Sequence, residues 1–289
     1  MGWRGPGPER ESLVLRTLTV ALALLAPLRH TASPLPHQFG KLRDGPHGGS
    51  IWRGVIPGAT RKSMIYLPPH FTRKRRYPVV YLLHGMPGSP WGYVNSLSVA
   101  ALGDTLITRH EARPFIAVMP VAGPTAYYGG QWAGQWEDYL VHRVVPWVDA
   151  HLPTIASARG RTLAGLSAGG YGAVDIGLRH PGLFERLESW GGYFTPFGDD
   201  PLDDVGDGVL ASHNPTLLAR TTAPALRGLG VRFYLSTGPG HGKVKRADTI
   251  DFAHELASLG IRYRLRLVPG GKGMWERQLA AGLRWAFAP

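Results

Sequence analysis

The segment Thr162–Tyr171, TLAGLSAGGY, contains a Gly-x-Ser-x-Gly motif between a short apolar run and a run of small residues. This spacing is typical of a strand that turns abruptly into a helix, because bulkier side chains two positions before or after the tip would strike the turn. Gly165 and Gly169 meet that need, and Ser167 lies at the tip. The pattern predicts a helix over Tyr171–Arg179 and an exposed, nucleophilic serine hydroxyl at its N-terminus. The alternative is a glycine-rich turn that contains serine by chance, in a chain with 39 glycines.

Composition limits the chemistry that the chain can perform. At 289 residues it can bury a large core, and residues 49–289 are expected to form one α/β domain. There is no cysteine, which excludes disulfides and thiolate metal sites. The twelve histidines form no H-E-x-x-H pattern, so we expect no metal and no cofactor.

The net charge of +12 is concentrated near the N-terminus. Residues 1–76 hold 13 of the 32 Lys and Arg residues but only 3 of the 20 Asp and Glu residues, so the remainder is nearly neutral. The basic run Arg73–Arg76 falls in a turn before a strand and is expected to be a solvated loop, not a nucleic-acid surface. Association with an anionic envelope or membrane surface is a secondary expectation.

Residues 1–33 resemble an export signal. Arg4, Arg10 and Arg16 precede the apolar segment Leu18–Leu28, and Thr31–Ser33 offers small residues for cleavage. The apolar segment is too short to span a bilayer, although an uncleaved anchor or a misassigned start codon remains an alternative. We therefore expect a secreted or cell-envelope protein, with a linker over residues 34–48 that is rich in Pro, Gly and His.

From residue 49 onward, strand patterns alternate with helical ones. Strands are predicted at 51–56, 63–67, 77–83, 115–119, 161–164, 187–190, 231–237 and 261–268, helices at 136–152, 249–259 and 275–287, and an irregular acidic region at 191–219. The first two strands form an antiparallel pair, and the others imply a doubly wound, mostly parallel sheet. Ligands bind such sheets beyond the C-terminal ends of the strands.

These residues resemble the putative esterase family of the α/β-hydrolase superfamily, which includes esterase D, enterochelin esterases and the antigen 85 mycolyltransferases. The resemblance covers about residues 49–287 and depends on Leu82–Gly88, on Gly165–Gly170 and on the helix before the latter. It implies the α/β-hydrolase fold, Ser167 as nucleophile, and the main-chain amides of Met86 and Ala168 as the oxyanion hole. His84 and Gly85, which shape that turn, are then expected beside the substrate.

The sequence departs from the family where the other triad members are expected, because the family order is Ser, then an acid, then a terminal His. The acid loop, Ser236–Gly242, has His241 at the position of the acid, and the family's Gly-Gly-His is here Gly270-Gly271-Lys272. Three alternatives follow: His241 is the base, oriented by Asp248 or by the acidic loop 199–207; Lys272 is the base and is buried; or the site is inactive. His213 is a weaker candidate for the base.

Aromatic residues follow several strand ends, near the expected crevice. They are Trp91, Tyr93, Tyr127, Tyr128, Trp132 and Trp136. Of these, Trp91 and Trp132 are predicted to contact substrate, either by stacking on a sugar or by cradling an acyl chain, although ordinary packing under loops explains them equally well. The acidic segment 199–211 is expected to be a solvated loop.

The sequence thus predicts a serine esterase or acyltransferase that forms an acyl-enzyme on Ser167. The substrate would be a small-molecule, lipid or glycan ester, and no nucleic acid is involved. The alternative is an inactive protein of the same fold that binds a cell-envelope glycan or lipid.

Overall fold

A computed structural model describes residues 1–2, 33–86, 88–122, 132, 134–195 and 212–289. The chain divides into two units, Met1–Pro34 and Leu35–Pro289, and all the elements named below belong to the second. The predicted export signal lies almost entirely outside the described residues. Within the described ranges, no helix has the length and apolar character needed to cross a bilayer.

One sheet organises the second unit. The strands are β1 (Phe39–Asp44), β2 (Ser50–Gly54), β3 (Ser63–Leu67), β4 (Val79–Leu83), β5 (Ile116–Met119), β6 (Arg161–Leu166), β7 (Arg186–Trp190), β8 (Arg232–Thr237) and β9 (Arg262–Leu267). Their spatial order is β1-β2-β3-β5-β4-β6-β7-β8-β9. Three strand pairs are antiparallel, namely β1 with β2, β2 with β3 and β3 with β5. The other pairs are parallel. The predicted α/β-hydrolase architecture, with its antiparallel strands at the N-terminal end, is confirmed.

Helices connect the parallel strands. They are α1 (Val99–Thr108), α2 (Gln135–Tyr139), α3 (Val145–His151), α4 (Ala168–Arg179), α5 (Pro215–Leu229), α6 (Lys243–Ser258) and α7 (Met274–Ala286). The single helix predicted over 136–152 is divided, because the π-helical turn Leu140–Val144 separates α2 from α3. Pro146 lies in the first turn of α3, where its missing N–H removes little hydrogen bonding.

The central strands are buried on both faces. Val79, Tyr81 and Leu83 of β4 join one hydrophobic cluster, whereas the alternate residues Val80 and Leu82 join the cluster on the other face. Successive strand side chains point to opposite faces of a sheet, so a continuous apolar run fills both layers. This is the reason that β4 could be recognised from its composition alone.

Two predictions of irregular chain are wrong in part. The predicted linker 34–48 contains β1, which pairs with β2, and Leu35 and Phe39 are buried. Phe39 stacks on Trp147, with 5.2 Å between the ring centroids. The region predicted to be irregular through residue 219 includes the start of α5, and the Asn214 side chain caps that helix by accepting from Leu217 N–H.

Candidate active site

Ser167 occupies a tight turn between β6 and α4. Its backbone angles are φ 53° and ψ −121°, a strained region for a residue with a side chain. The surrounding hydrogen bonds hold it there: its N–H donates to Trp190 O at 2.9 Å, and its own carbonyl accepts from Gly170 N–H and Tyr171 N–H. The predicted turn, with serine at its tip and a helix directly after it, is present.

The two motif glycines are required because main chain approaches them closely. A Cβ at Gly169 would lie 2.0 Å from Leu83 O, and one at Gly165 would lie 2.1 Å from Gly169 O. No side-chain movement relieves such contacts, since the obstructing atoms belong to the backbone. The steric explanation of the motif therefore holds at both positions.

Ser167 opens into a cavity of about 270 Å³ at the carboxyl ends of β4 and β6. Its walls are formed by His84, Gly85, Met86, Gly88, Ser89, Gly92, Tyr93, Leu166, Ser167 and Trp275. The Tyr93 hydroxyl donates to Leu83 O at 2.8 Å, which fixes that ring beside the serine. A cavity of this size suits one small acyl or aryl group.

The turn after β4 passes directly over Ser167. A Cβ at Gly85 would lie 3.2 Å from Leu166 O and 3.3 Å from Ser167 Cβ, so a side chain there would crowd the serine turn. Met86 follows and lines the cavity, with 37% of its surface exposed. Ala168 is the first residue of α4, and an N–H in the first turn of a helix has no intrahelical partner. Both predicted oxyanion-hole residues thus flank the serine.

His84 lines the cavity, but hydrogen bonds within the protein occupy both of its ring nitrogens. Ala122 N–H donates to Nε2 at 3.2 Å, which leaves the ring proton on Nδ1, 2.9 Å from Gly85 O. Burial lowers the pKa of His84 to about 4, consistent with a neutral ring. His84 therefore fixes the turn above Ser167, and only its carbon atoms are available to a substrate.

Trp132 and Trp91 differ from the prediction that they contact substrate. Trp132 is fully buried, and its Nε1 donates to His84 O at 3.0 Å, so it supports the turn from beneath. Trp91 is half-buried, does not line the Ser167 cavity, and packs under the Arg53 guanidinium at 5.2 Å. Ordinary packing, the alternative interpretation, describes both residues. Tyr127 and Tyr128 lie outside the described residues.

His241 lies in the loop after β8, next to the cavity wall. Its ring centroid is 4.9 Å from that of Trp275, and a Cβ at Gly191 would be 2.5 Å from its Nε2. Gly191 has a φ of 61° and leaves the space that the imidazole fills. His241 makes no hydrogen bond to Ser167, and its ring interacts with the side chain of Gln278.

The hydrogen bonding of His241 fixes its tautomer. Gly238 N–H donates to Nδ1 at 3.0 Å, so in the neutral ring the proton resides on Nε2. Burial, reinforced by the charge of Lys245, lowers the pKa of His241 and favours that neutral form. A base that accepts the Ser167 proton through Nε2 requires the opposite tautomer.

Neither Asp248 nor Lys272 adopts the arrangement expected of it. The Asp248 carboxylate accepts from Phe194 N–H and, at 3.3 Å, from Thr195 N–H, so it orders the chain after β7 and does not orient His241. Lys272 is exposed, and the burial that a serine–lysine pair needs is absent. The acidic loop 199–207 lies outside the described residues.

Trp275 was not identified from the sequence. It lies in the first turn of α7, lines the Ser167 cavity and contacts the His241 ring. The available signal was its place shortly after the Gly270-Gly271-Lys272 loop, because that loop follows the last strand of the sheet. Trp275 thus contacts both the serine cavity and the imidazole.

His213 belongs to a different cluster. Its Nδ1 lies 2.7 Å from the Oδ2 of Asp175, which stands two helical turns beyond Ser167 on α4. Burial raises the pKa of Asp175. The ligand-type atoms of Glu137, Asp175 and His213 lie within 4.8 Å of one another, but Glu137 already accepts from Arg179 at 2.9 Å and His180 at 2.7 Å. Both donors bind Oε1 of Glu137, and none of the three residues lines the Ser167 cavity.

Hydrogen bonds continue from strand to strand beyond the ends of the sheet. After the Ser167–Trp190 bond, Gly191 N–H donates to Ser236 O at 2.7 Å and Val268 N–H donates to Thr237 O at 2.8 Å. The serine turn, the loop after β7 and the His241 loop are therefore connected through their main chains.

Curated relatives of the chain are esterases. It is 30% identical over 134 residues to esterase Rv1288 of Mycobacterium tuberculosis, a match that covers 44% of this chain and 28% of that protein. It is also 30% identical over 155 residues to an endo-1,4-beta-xylanase/feruloyl esterase of Xylanibacter ruminicola, covering 50% of this chain and 21% of the relative. The chain thus spans less than a third of the length of these relatives.

Solved structures share the fold. A ferulic acid esterase superposes with a TM-score of 0.69 at 21% identity, covering 83% of this chain and 97% of that one. An S-formylglutathione hydrolase, FrmB of Staphylococcus aureus, gives a TM-score of 0.63 at 17% identity, covering 86% and 95%. At the level of sequence, the family described as "Putative esterase" matches residues 55–286. The chain belongs to this putative esterase family.

Proposed function

We propose that the chain is a serine ester hydrolase in which Ser167 forms an acyl-enzyme. The observation that carries this proposal is the strained turn at Ser167, which is maintained by two close main-chain approaches and opens into a cavity. Strain of this kind persists only where the surrounding structure enforces it, and it is concentrated at functional sites.

The amides of Met86 and Ala168 would stabilise the reaction intermediate. The Ser167 Oγ attacks the ester carbonyl, and the carbonyl oxygen becomes an oxyanion that accepts from both N–H groups. Removing one such donor typically costs about 3–4 kcal/mol of activation free energy. The C–O bond then breaks, and the leaving oxygen takes up the proton that the Ser167 hydroxyl gave to the base and departs as an alcohol. Water then attacks the acyl-enzyme, the ester bond to Ser167 breaks, and the carboxylic acid and the serine hydroxyl are released. A sugar hydroxyl in place of water would make the same chain an acyltransferase.

We assign the proton transfer to His241, provided that its tautomer changes. The ring must carry its proton on Nδ1, give up the bond from Gly238 N–H and present the lone pair of Nε2 to the serine. Because no carboxylate bonds Nδ1 to favour that tautomer, we expect slow acylation, which activated test substrates such as p-nitrophenyl esters should accelerate relative to sugar esters. Lys272 is exposed, so its side chain would have to become buried beside Ser167 before it could serve as the base in place of His241.

The walls of the cavity favour an aromatic or short aliphatic acyl group. Tyr93, Leu166 and Trp275 present apolar surface around Ser167. Several relatives and structural neighbours are described as feruloyl or ferulic acid esterases, which supports an aromatic acyl group here. A carbohydrate ester outside the cytoplasm is the substrate class that this proposal favours, in keeping with the export pattern of residues 1–33.

A fluorophosphonate probe tests the nucleophile. We expect covalent labelling of the wild-type protein that is lost in Ser167→Ala and retained in Ser89→Ala, because Ser89 lines the same cavity but not the turn. Absence of labelling between about pH 6 and pH 10 would refute the proposal.

Two variants distinguish the candidate bases. If His241 accepts the proton, His241→Gln should abolish hydrolysis of a p-nitrophenyl ester while Lys272→Met leaves it unchanged. If Lys272 is the base, activity should rise toward alkaline pH and disappear only in Lys272→Met. Hydrolysis that survives both changes assigns the role to neither residue.

A second candidate function is binding without catalysis. The observation in its favour is the tautomer of His241. Its Nε2 carries a proton and is a hydrogen-bond donor, whereas a base that takes the Ser167 proton needs an acceptor at that nitrogen. An unlabelled wild-type protein that binds an envelope glycan or lipid saturably would support this alternative.

A further inference from the structure

A second cavity, of about 630 Å³, lies between the edge strand β9 and the helix α7. It has more than twice the volume of the Ser167 cavity. Both cavities share the first turn of α7, since Trp275 lines the serine cavity while Glu276 and Arg277 line this one. We call it the β9–α7 cavity.

The walls of the β9–α7 cavity carry an excess of positive charge. Four arginines and one carboxylate, Glu276, line it. Arg284 is neutralised by Glu111, with 2.5 Å between Nε and Oε2. Arg277 donates to the main-chain carbonyls of Lys272 and Pro269, which hold its guanidinium in place without cancelling its charge.

Arg264 and Arg266, like Arg277, have no counter-ion among the described residues. Neither forms an ion pair with a carboxylate of the described part of the chain. They are two residues apart on β9, so both side chains leave the same face of the strand, about 7 Å apart along it. Arg264 pairs with Tyr234 of β8 in the sheet register, which places all three side chains on the face that α7 covers.

Tyr234 forms the floor of the cavity. It is 1% exposed, and its buried hydroxyl interacts with the Arg266 side chain. Tyr234 thereby helps to position the Arg266 guanidinium. Its cross-strand neighbour Glu188 does not oppose an anion, because burial raises the pKa of Glu188 to about 8 and the carboxyl is protonated at neutral pH.

Trp285 adds an aromatic surface to these donors. Its ring is partly exposed, lies 5.5 Å from that of Tyr234 and has the Arg232 guanidinium 6.0 Å from its centroid. The small residues Ala280, Ala281 and Ala288 keep the space in front of the ring open. Aromatic faces pack well against the apolar faces of sugar rings.

From this combination we infer that the β9–α7 cavity binds a phosphorylated saccharide. Arg264 and Arg266 hold the phosphate oxygens, and Trp285 packs against the sugar ring. Guanidinium groups match phosphate geometry, and the volume accommodates more than a bare phosphate. Because Ser167 takes no part, the inference stands whether or not the serine is catalytic.

Titration calorimetry at low ionic strength tests the site with glucose 1-phosphate, inorganic phosphate and glucose as probes. We expect saturable binding of glucose 1-phosphate, weaker binding of phosphate and none of glucose. The double variant Arg264→Gln/Arg266→Gln should lower the affinity at least about tenfold, since each charge-assisted hydrogen bond contributes substantially. The matched control is Arg262→Gln, which removes the same charge from the same strand outside the cavity.

Three results would overturn the inference. Failure of glucose 1-phosphate to bind at about 10 mM removes the site. An equal loss in Arg262→Gln reduces the effect to general electrostatic attraction. Inorganic phosphate that binds as tightly as glucose 1-phosphate removes the saccharide part. One further variant has a distinct readout: Trp285→Leu should weaken binding of glucose 1-phosphate and leave that of inorganic phosphate unchanged.

Discussion

Adding one methyl group at Gly169 should both destabilise the protein and disable its serine. The Cβ of Gly169→Ala would lie 2.0 Å from Leu83 O, 2.5 Å from Leu83 C and 2.8 Å from His84 O. Since an ordinary contact needs about 3.4 Å, either the end of β4 or the start of α4 must move by more than 1 Å. Overpacking of this kind costs about 3 kcal/mol, which corresponds to a fall in melting temperature of about 6–12 °C for a domain of this size.

Thermal unfolding followed by circular dichroism measures the effect, with Gly228→Ala as the control. A Cβ at Gly228 meets nothing within 4 Å, and this residue lies near the end of α5. Alanine there should be neutral or stabilise the helix by up to about 1 kcal/mol. If Gly169→Ala melts within about 2 °C of wild type and still reacts with a fluorophosphonate, the steric account of the turn is wrong.

Three further predictions concern the buried titratable groups His84 and Glu188 and the partly buried Trp275. Burial lowers the pKa of His84 from 6.5 to about 4. Between these pH values the unfolded state binds more protons than the folded state, so the free energy of unfolding falls with falling pH, by up to about 3 kcal/mol. Urea unfolding at several pH values should show that this loss is smaller in His84→Gln. Burial raises the pKa of Glu188 from 4.5 to about 8, so the folded state retains the proton and the free energy of unfolding falls as pH rises toward 8. Glu188→Gln should remove that loss, which is a gain of about 4 kcal/mol over wild type at pH 9. A wild-type free energy of unfolding that stays constant over this pH range would contradict the prediction. Trp275→Ala should widen the serine cavity, so labelling by long-chain fluorophosphonates should accelerate several-fold relative to short-chain ones, and an unchanged ratio would place Trp275 outside the acyl path.

The parts of the fold predicted from sequence are those that local chemistry dictates. The apolar run before His84 could form only a buried strand, and the glycines around Ser167 admitted only a tight turn. By contrast, the sequence predicts a linker where β1 lies, because only one of the six residues of β1, Phe39, is buried. Its pairing with β2 supplies what its own composition does not, and such long-range pairing leaves little trace in a local pattern.

The candidate site was predicted in position but not in hydrogen bonding. Sequence placed Ser167 and His241 at the same edge of the sheet, because parallel strands end together. The tautomer of His241 depends on whether Gly238 N–H points at Nδ1, and that is set by the local path of a loop. Trp132 looked like a binding residue because its type suits sugars, yet only tertiary packing reveals that it lies under His84.

The main-chain bonds that link Ser167 to Trp190, Gly191 to Ser236 and Thr237 to Val268 have a consequence for specificity. A ligand cannot push one of these loops aside without breaking bonds in the next, so the rim of the site behaves as a stiff frame. Selectivity among acyl groups must then arise from the side chains mounted on that frame. Relatives with the same backbone should change preference by exchanging residues such as Trp275, and not by reshaping loops.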